Sequence, residues 1–271
     1  MGRVSSLVDA ARPRRVAELI RLDEEIRSPL PLSTRVGVVG VAGGTGCSVA
    51  AGLASSALAS RRPGRVLAVN ASNEHRSVLW HAGMIEDAHP DRGGDADRAG
   101  ARRASEVTAG LPRTPGGLSC IDLAGGDAGG ADSRWWEVVA PIGRFFDFVV
   151  TDWGVRDMAA ADDVTASSAL ACVVTAPDRT GLQRGVDLAH ALSVAGTPAV
   201  LAVVDAHRRR APITSTLLDL LPVPAVEIPH DPAHHAGAPV PGSGLRPATR
   251  LAAVRLATAL VRQATAEGST A

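Results

Sequence analysis

Between Val36 and Ala54 the chain reads VGVVGVAGGTGCSVAAGLA. Three glycines, Gly43, Gly44 and Gly46, surround Thr45, and Cys47, Ser48 and Val49 follow. A glycine turn between a strand and a helix presents unpaired backbone N–H groups and the positive end of the helix dipole, which together hold a phosphate or a similar anion. Residues Gly43 to Val49 are therefore a candidate anion site, with the Ser48 hydroxyl as an added ligand. The unusual feature is what is absent. The chain contains no lysine and no tyrosine, so every long cation is an arginine, and the loop itself carries neither.

Other chemistries fit these residues less well. GVAGGTG also matches a loose G-x-x-G-x-x-G dinucleotide loop, but the next strand ends in Asn70 rather than an acid for a ribose, with Glu74 the nearest carboxylate. A Tyr-x-x-x-Lys reductase dyad is excluded by composition. Cys47 opens a helix, where the dipole lowers a thiol pKa, yet a small filler side chain is the favoured reading. The group His230, Asp231, His234 and His235 has a metal-like composition, weighed against plain loop structure. Arg208, Arg209 and Arg210 form the strongest basic run, weighed as a solvated loop against a DNA or acidic-partner contact. Trp135, Trp136 and Trp153 stand out in a chain with 3% aromatic residues.

These side chains need a scaffold. A chain of 271 residues, 45% of them hydrophobic, supports one medium α/β core. The 28 basic and 28 acidic residues balance, so there is no strong nucleic-acid signal and no field drawing the chain to an anionic membrane. Three dispersed cysteines, Cys47, Cys120 and Cys172, fit neither a disulfide framework nor a zinc site. With no export signal and no long apolar span, a cytoplasmic location is expected. Gly2 and Ser6 match a myristoylation pattern that recurs by chance.

Apolar runs bounded by Gly, Pro and Asp alternate with helical patterns, which predicts a parallel sheet covered by helices. Strands are expected at Val36–Val41, Val66–Asn70, Leu118–Asp122, Phe148–Asp152, Ala171–Thr175, Ala199–Asp205 and Ala225–Ile228. Helices are expected at Pro13–Arg27, Ser48–Arg61, Ser133–Gly143, Ala159–Leu170, Thr180–Ala195, Ile213–Leu220 and Arg246–Ala266. The polar stretch from Glu86 to Gly117 reads as a mobile surface excursion with a short helix near Ala99–Val107. The expected fold is a three-layer α/β/α arrangement around a mostly parallel, twisted sheet of about seven strands. Residues 1–34 form an N-terminal helix and lead-in, and 35–271 the α/β domain.

The stretch RSPLPLSTRVGVVGVAGGTGCSVAAGLASSALASRRPGRVLAVNAS resembles the MinD/ParA family of P-loop ATPases, whose loop reads K-G-G-x-G-K-S/T. More narrowly, it is similar to the MinD-like proteins of actinobacteria associated with type VII secretion. Weaker likeness continues through FDFVVTDWG, CVVTAPDRTGLQRGVDLAHAL, PAVLAVVDAHRRR and VEIPHDPAHHAGAPV. The resemblance implies a P-loop NTPase fold and ATP or ADP with Mg²⁺ as cofactor. It places Ser48 on the metal, Asp152 as the catalytic and metal-side carboxylate, and the loop of His230 near the adenine. It also implies a protein partner, either an active MinD-like relative or secretion or positioning machinery, and a homodimer.

Against that pattern Ala42 replaces the signature lysine, Cys47 the general P-loop lysine and Asn70 the acid ending the second strand. Phosphoryl transfer depends on neutralising charge that develops on phosphate oxygens, and one such donor is worth about 3 kcal/mol. Loss of both cations implies a degenerate site, a pseudo-ATPase acting through protein contacts. The alternatives are an ATPase with arginine as its cation, from Arg156, Arg179, Arg102 or Arg103, and a nucleotide-free scaffold.

Overall fold

The computed structural model describes residues 13–30, 32–72, 76–84, 98–124, 130–156, 161–208, 218–236, 239 and 244–268. Seven parallel strands form one sheet: β1 (Thr34–Gly40), β2 (Val66–Asn70), β3 (Ser119–Asp122), β4 (Phe148–Val155), β5 (Leu170–Thr175), β6 (Ala199–Val204) and β7 (Ala225–Ile228), in the spatial order β3-β2-β4-β1-β5-β6-β7. All seven expected strands are present, because parallel strands covered on both faces read as near-continuous apolar runs.

Alternate side chains feed two cores. On one face Val36, Val38, Phe148 and Val150 pack under α1 (Pro13–Ile26), α2 (Cys47–Arg61), α3 (Val78–His81) and α8 (Pro247–Gly268). On the other, Val39, Val149, Leu201 and Val203 meet α5 (Gly130–Arg134), α6 (Ala161–Ser167) and α7 (Arg179–Val194). Helix α2 is apolar on all sides, with ten buried residues from Cys47 to Leu58, as a central helix must be. Helix α8 buries Leu256, Ala257, Leu260 and Val261 against the sheet, α1 and α2. Pairs Arg255–Glu18 and Arg61–Asp23, at 2.6 and 2.9 Å, pin α1 to α8 and α2.

Three expectations are corrected. Ser133–Gly143 is not one α-helix: α5 widens into a π turn at Trp135–Val139, and a 3₁₀ turn follows at Gly143–Phe145, so that Trp135, Val139 and Ile142 all reach the core. The described part of the polar excursion is anchored rather than loose. It holds α4 (Ala104–Thr108) and buries Ala101, Val107 and Leu111; residues 85–97 lie outside the described set. Helix α3 was not expected, since four residues are too few to show a period. The helix expected at Ile213–Leu220 falls largely outside the described residues.

Candidate functional site

The centre of the sheet places the loop. Strand β1 has β4 on one side and β5 on the other, Val38 lying opposite both Asp152 and Cys172. After Gly40 the chain turns through Ala42, where Thr45 Oγ1 donates to the Ala42 carbonyl at 2.9 Å, and α2 begins. Gly44 and Gly46 are left-handed, with φ of 73° and 87°. At Gly46 glycine is required twice, because a Cβ would also lie 2.7 Å from Val204 Cγ1. Gly43 and Gly44 are exposed, while Thr45, Cys47 and Ser48 are buried and Val49 is half-buried. The first N–H groups of a helix have no partner within it, so the loop keeps the donors of an anion cradle. Around Gly43 the space is open.

Below the cradle lies Asp152, fully buried near the end of β4. The Ser48 hydroxyl donates to Oδ2 at 2.6 Å, and the Cys47 thiol to Oδ1 at 3.3 Å. The Gly154 N–H also donates to Oδ1, at 3.0 Å. A bulge permits this bond: pairing jumps from Val38–Asp152 to Val39–Gly154, leaving Trp153 out of the ladder, and Gly154 takes a φ of 69°. Burial raises the Asp152 pKa, opposed by the bonds from Ser48, Cys47, Gly154 and Ser72. The Cys47 thiol is pushed well above its usual range, first by burial and then by the adjacent Asp152 charge. The lowered thiol pKa expected from the helix dipole is therefore corrected: the side chain turns inward, away from the exposed helix end.

Asn70 is a bridge rather than a vacancy. Its Nδ2 donates to Asp122 Oδ1 at 2.8 Å, and its Oδ1 accepts from the Ser72 N–H and hydroxyl at 3.2 and 2.9 Å. Ser72 Oγ also lies 3.5 Å from Asp152 Oδ2. An amide, able to donate on one side and accept on the other, suits a position between a carboxylate and a hydroxyl.

Above the loop opens a cleft of about 140 Å³ whose walls include Ala42, Gly44, Ser48, Gly154, Arg76 and His81. It continues toward Asp205, His207 and the loop from His230 to His235. His81 and His234 meet edge to face with ring centroids 5.4 Å apart. Burial, with the nearby His234, Arg76 and His235, drives the His81 pKa down to about 3. Asp231 does not point to a metal role; its oxygens accept from Ala233 N at 3.1 Å and Arg246 N at 2.8 Å. Among the described residues no group of three or more His, Cys, Asp and Glu side chains could hold a metal ion. Sequence reasoning missed Arg76, His81 and His207, which come from two separated segments, 76–84 and the turn after β6, and carry no motif.

None of the four arginines weighed for the missing cation lines this cleft. Arg156 covers the Trp153 ring at 5.6 Å and pairs with Asp132 at 3.8 Å. Arg179 begins α7 beside a different depression, and the backbones of Arg102 and Arg103 are held by Glu106. Trp135 and Trp153 are buried, with Trp135 Nε1 donating to Thr151 at 3.0 Å. Trp136 is half exposed. Arg208 is exposed; Arg209, Arg210 and Glu74 lie outside the described residues.

An all-parallel doubly wound sheet with a glycine cradle after its central strand and a buried carboxylate on the neighbouring strand defines the P-loop NTPase class of fold. Within it, the fold is that of the MinD/ParA ATPases. The cell division ATPase MinD of Pyrococcus furiosus matches with a TM-score of 0.63 at 22% identity, over 86% of this chain and 100% of that one. The septum site-determining protein MinD of Pyrococcus horikoshii, solved with Mg-ADP, matches at 0.62 and 20%, over 83% and 94%. MinD in the MinC:MinD complex of Aquifex aeolicus matches at 0.61 and 19%, over 84% and 95%. No protein-family model matches the chain, and no curated protein sequence does. Among the described residues no helix is long and apolar enough to cross a membrane.

Proposed function

We propose that this chain is a MinD/ParA-like protein with a degenerate nucleotide site, a pseudo-ATPase that acts through protein contacts as a regulatory or positioning and secretion accessory factor. The observation that carries the reading is the inward thiol of Cys47, bonded to Asp152 where the resembled loop has a cation facing the phosphates. Ala42 in the cleft wall removes the second cation. Without them the charge developing in phosphoryl transfer is poorly neutralised, while the backbone cradle still favours an anion. A nucleotide, ATP or ADP, rests on Gly43 to Val49 in this reading. The fit to magnesium is conditional: Ser48 and Asp152 are the ligands, and an ion must displace their 2.6 Å hydrogen bond.

The wider assignment rests on the sequence resemblance. It comprises an α/β domain over 35–271 after an N-terminal helical lead-in, a cytoplasmic location and service in an actinobacterial type VII secretion system. It also comprises a protein partner, including an active relative, and a homodimer. A MinD neighbour solved with MinC supports a protein partner in general terms.

The test is calorimetric titration with ATP and Mg²⁺, alongside phosphate release, on wild type and on Ala42→Lys/Cys47→Lys. Binding with negligible turnover, strengthened in the double variant, is expected. Hydrolysis at rates ordinary for the resembled family, abolished by Asp152→Asn, would sink the pseudo-enzyme reading. Absence of any heat or thermal shift would reduce the chain to a scaffold.

A further inference from the structure

The cleft above the loop is not without a permanent positive charge. Among the described residues in its wall, Arg76 alone has a side chain that stays charged at every physiological pH. It arrives not from the loop but from the segment after β2, and it also lines the neighbouring histidine-walled space. Its guanidinium lies over the Trp80 ring, 5.8 Å from the centroid, and donates to the His234 carbonyl at 3.4 Å. A guanidinium carries five N–H donors in a planar fork. One long bond to a carbonyl and one ring face leave most of that fork unbonded at the cleft wall, and among the described residues no carboxylate pairs with it. Trp80 supplies a flat support that restricts the side chain without consuming its donors.

We infer that Arg76 is the polyphosphate-binding cation of this site, replacing from outside the loop the charges that Ala42 and Cys47 do not supply, so that the ligand is a nucleoside di- or triphosphate. The inference deepens the proposed nucleotide site and rests on it. His81 works in the same direction by staying neutral beside Arg76; it neither competes for the anion nor adds repulsion between cations. An arginine anchored on a tryptophan binds phosphate oxygens but does not reach across them as a loop lysine does, which is compatible with binding and poor turnover.

The experiment is calorimetry of the full chain with ATP and with AMP, each with and without Mg²⁺, on wild type, Arg76→Gln and Arg76→Lys, with melting temperatures measured in parallel. Wild type should prefer ATP to AMP. Arg76→Gln should weaken ATP by about tenfold or more, the scale of one charge-assisted contact, leave AMP within about threefold, and melt as wild type does. Arg76→Lys should recover part of the ATP affinity. Equal loss of ATP and AMP, or ATP binding unchanged within twofold in Arg76→Gln, overturns the inference while leaving the nucleotide site standing. A wild type that binds neither ligand overturns both.

Discussion

The Cys47 thiol lies 3.3 Å from Asp152 Oδ1 and points beneath the loop, not into the cleft above it. The position from which a P-loop usually presents a cation is thus spent on satisfying a buried carboxylate. With Ser48 on Oδ2 and Gly154 on Oδ1, Asp152 is enclosed by donors before any ligand arrives. The pair couples loop and strand β4 into one rigid unit, and it makes position 47 structural.

The stability of the fold should therefore respond to Cys47 by donor capacity. Cys47→Ala strips one donor from a buried carboxylate and leaves a small void, so a loss of about 1–3 kcal/mol is expected. Cys47→Ser keeps an O–H in nearly the same place and should lose under about 1 kcal/mol. Urea denaturation of the two variants at neutral pH checks the order; equal loss in both would mean that the hydrogen bond contributes nothing.

Asn70→Asp restores the acid of the resembled pattern and should nevertheless be harmful. It removes the donor now 2.8 Å from Asp122 Oδ1 and puts a like charge there instead. A loss of about 2 kcal/mol or more is expected at pH 7, relieved as pH falls toward the carboxylate range, where the two groups share a proton. Denaturation midpoints at pH 7 and pH 4 separate this from a simple packing defect, which would not depend on pH.

A packed and an exposed glycine of the loop should separate folding from binding. Gly46→Ala meets a left-handed φ of 87° and Val204 Cγ1 at 2.7 Å, so a loss of about 2 kcal/mol or more is expected. Gly43→Ala adds a methyl to open space and should keep stability within about 0.5 kcal/mol, yet weaken any ligand seated on the loop. Melting curves and an ATP titration on both variants check the contrast, and a Gly43→Ala variant that binds normally would place the ligand elsewhere.

Much of this architecture is legible in the residues. The seven strands are runs such as VLAVN and LACVVT, apolar because both sheet faces are covered, and punctuated by Gly, Pro or Asp. The loop is legible because its glycines sit at fixed offsets between a strand and a helix. The bulge at Trp153 is not, since it depends on how β4 passes β1. Nor is the direction of the Cys47 shift, which burial decides, or the meeting of the Arg76–His81 segment with His207, which lies far away in sequence. The inner turn at Trp135 is likewise a compromise forced by packing three large side chains on one sheet face.

The histidine wall should make stability depend on pH with a definite sign. Burial first, then the charges of His234 and Arg76, hold His81 near a pKa of about 3 against 6.5 for the free side chain. The folded state therefore keeps His81 neutral while the unfolded state takes a proton below about pH 6.5, so the unfolded chain binds more protons in that window. Stability from this residue is full above pH 6.5 and is lost as pH falls toward 3, by at most about 1.4 kcal/mol per pH unit. Asp152, whose pKa burial raises, acts oppositely at lower pH, so the informative quantity is the difference between wild type and His81→Gln. The stability of wild type relative to the variant should fall from pH 7 to pH 5, because both proteins keep the buried His234 and Asp152 while wild type alone carries the contribution of His81. Parallel urea titrations at those two values measure it; identical pH slopes in the two proteins would show that His81 titrates as an ordinary surface histidine.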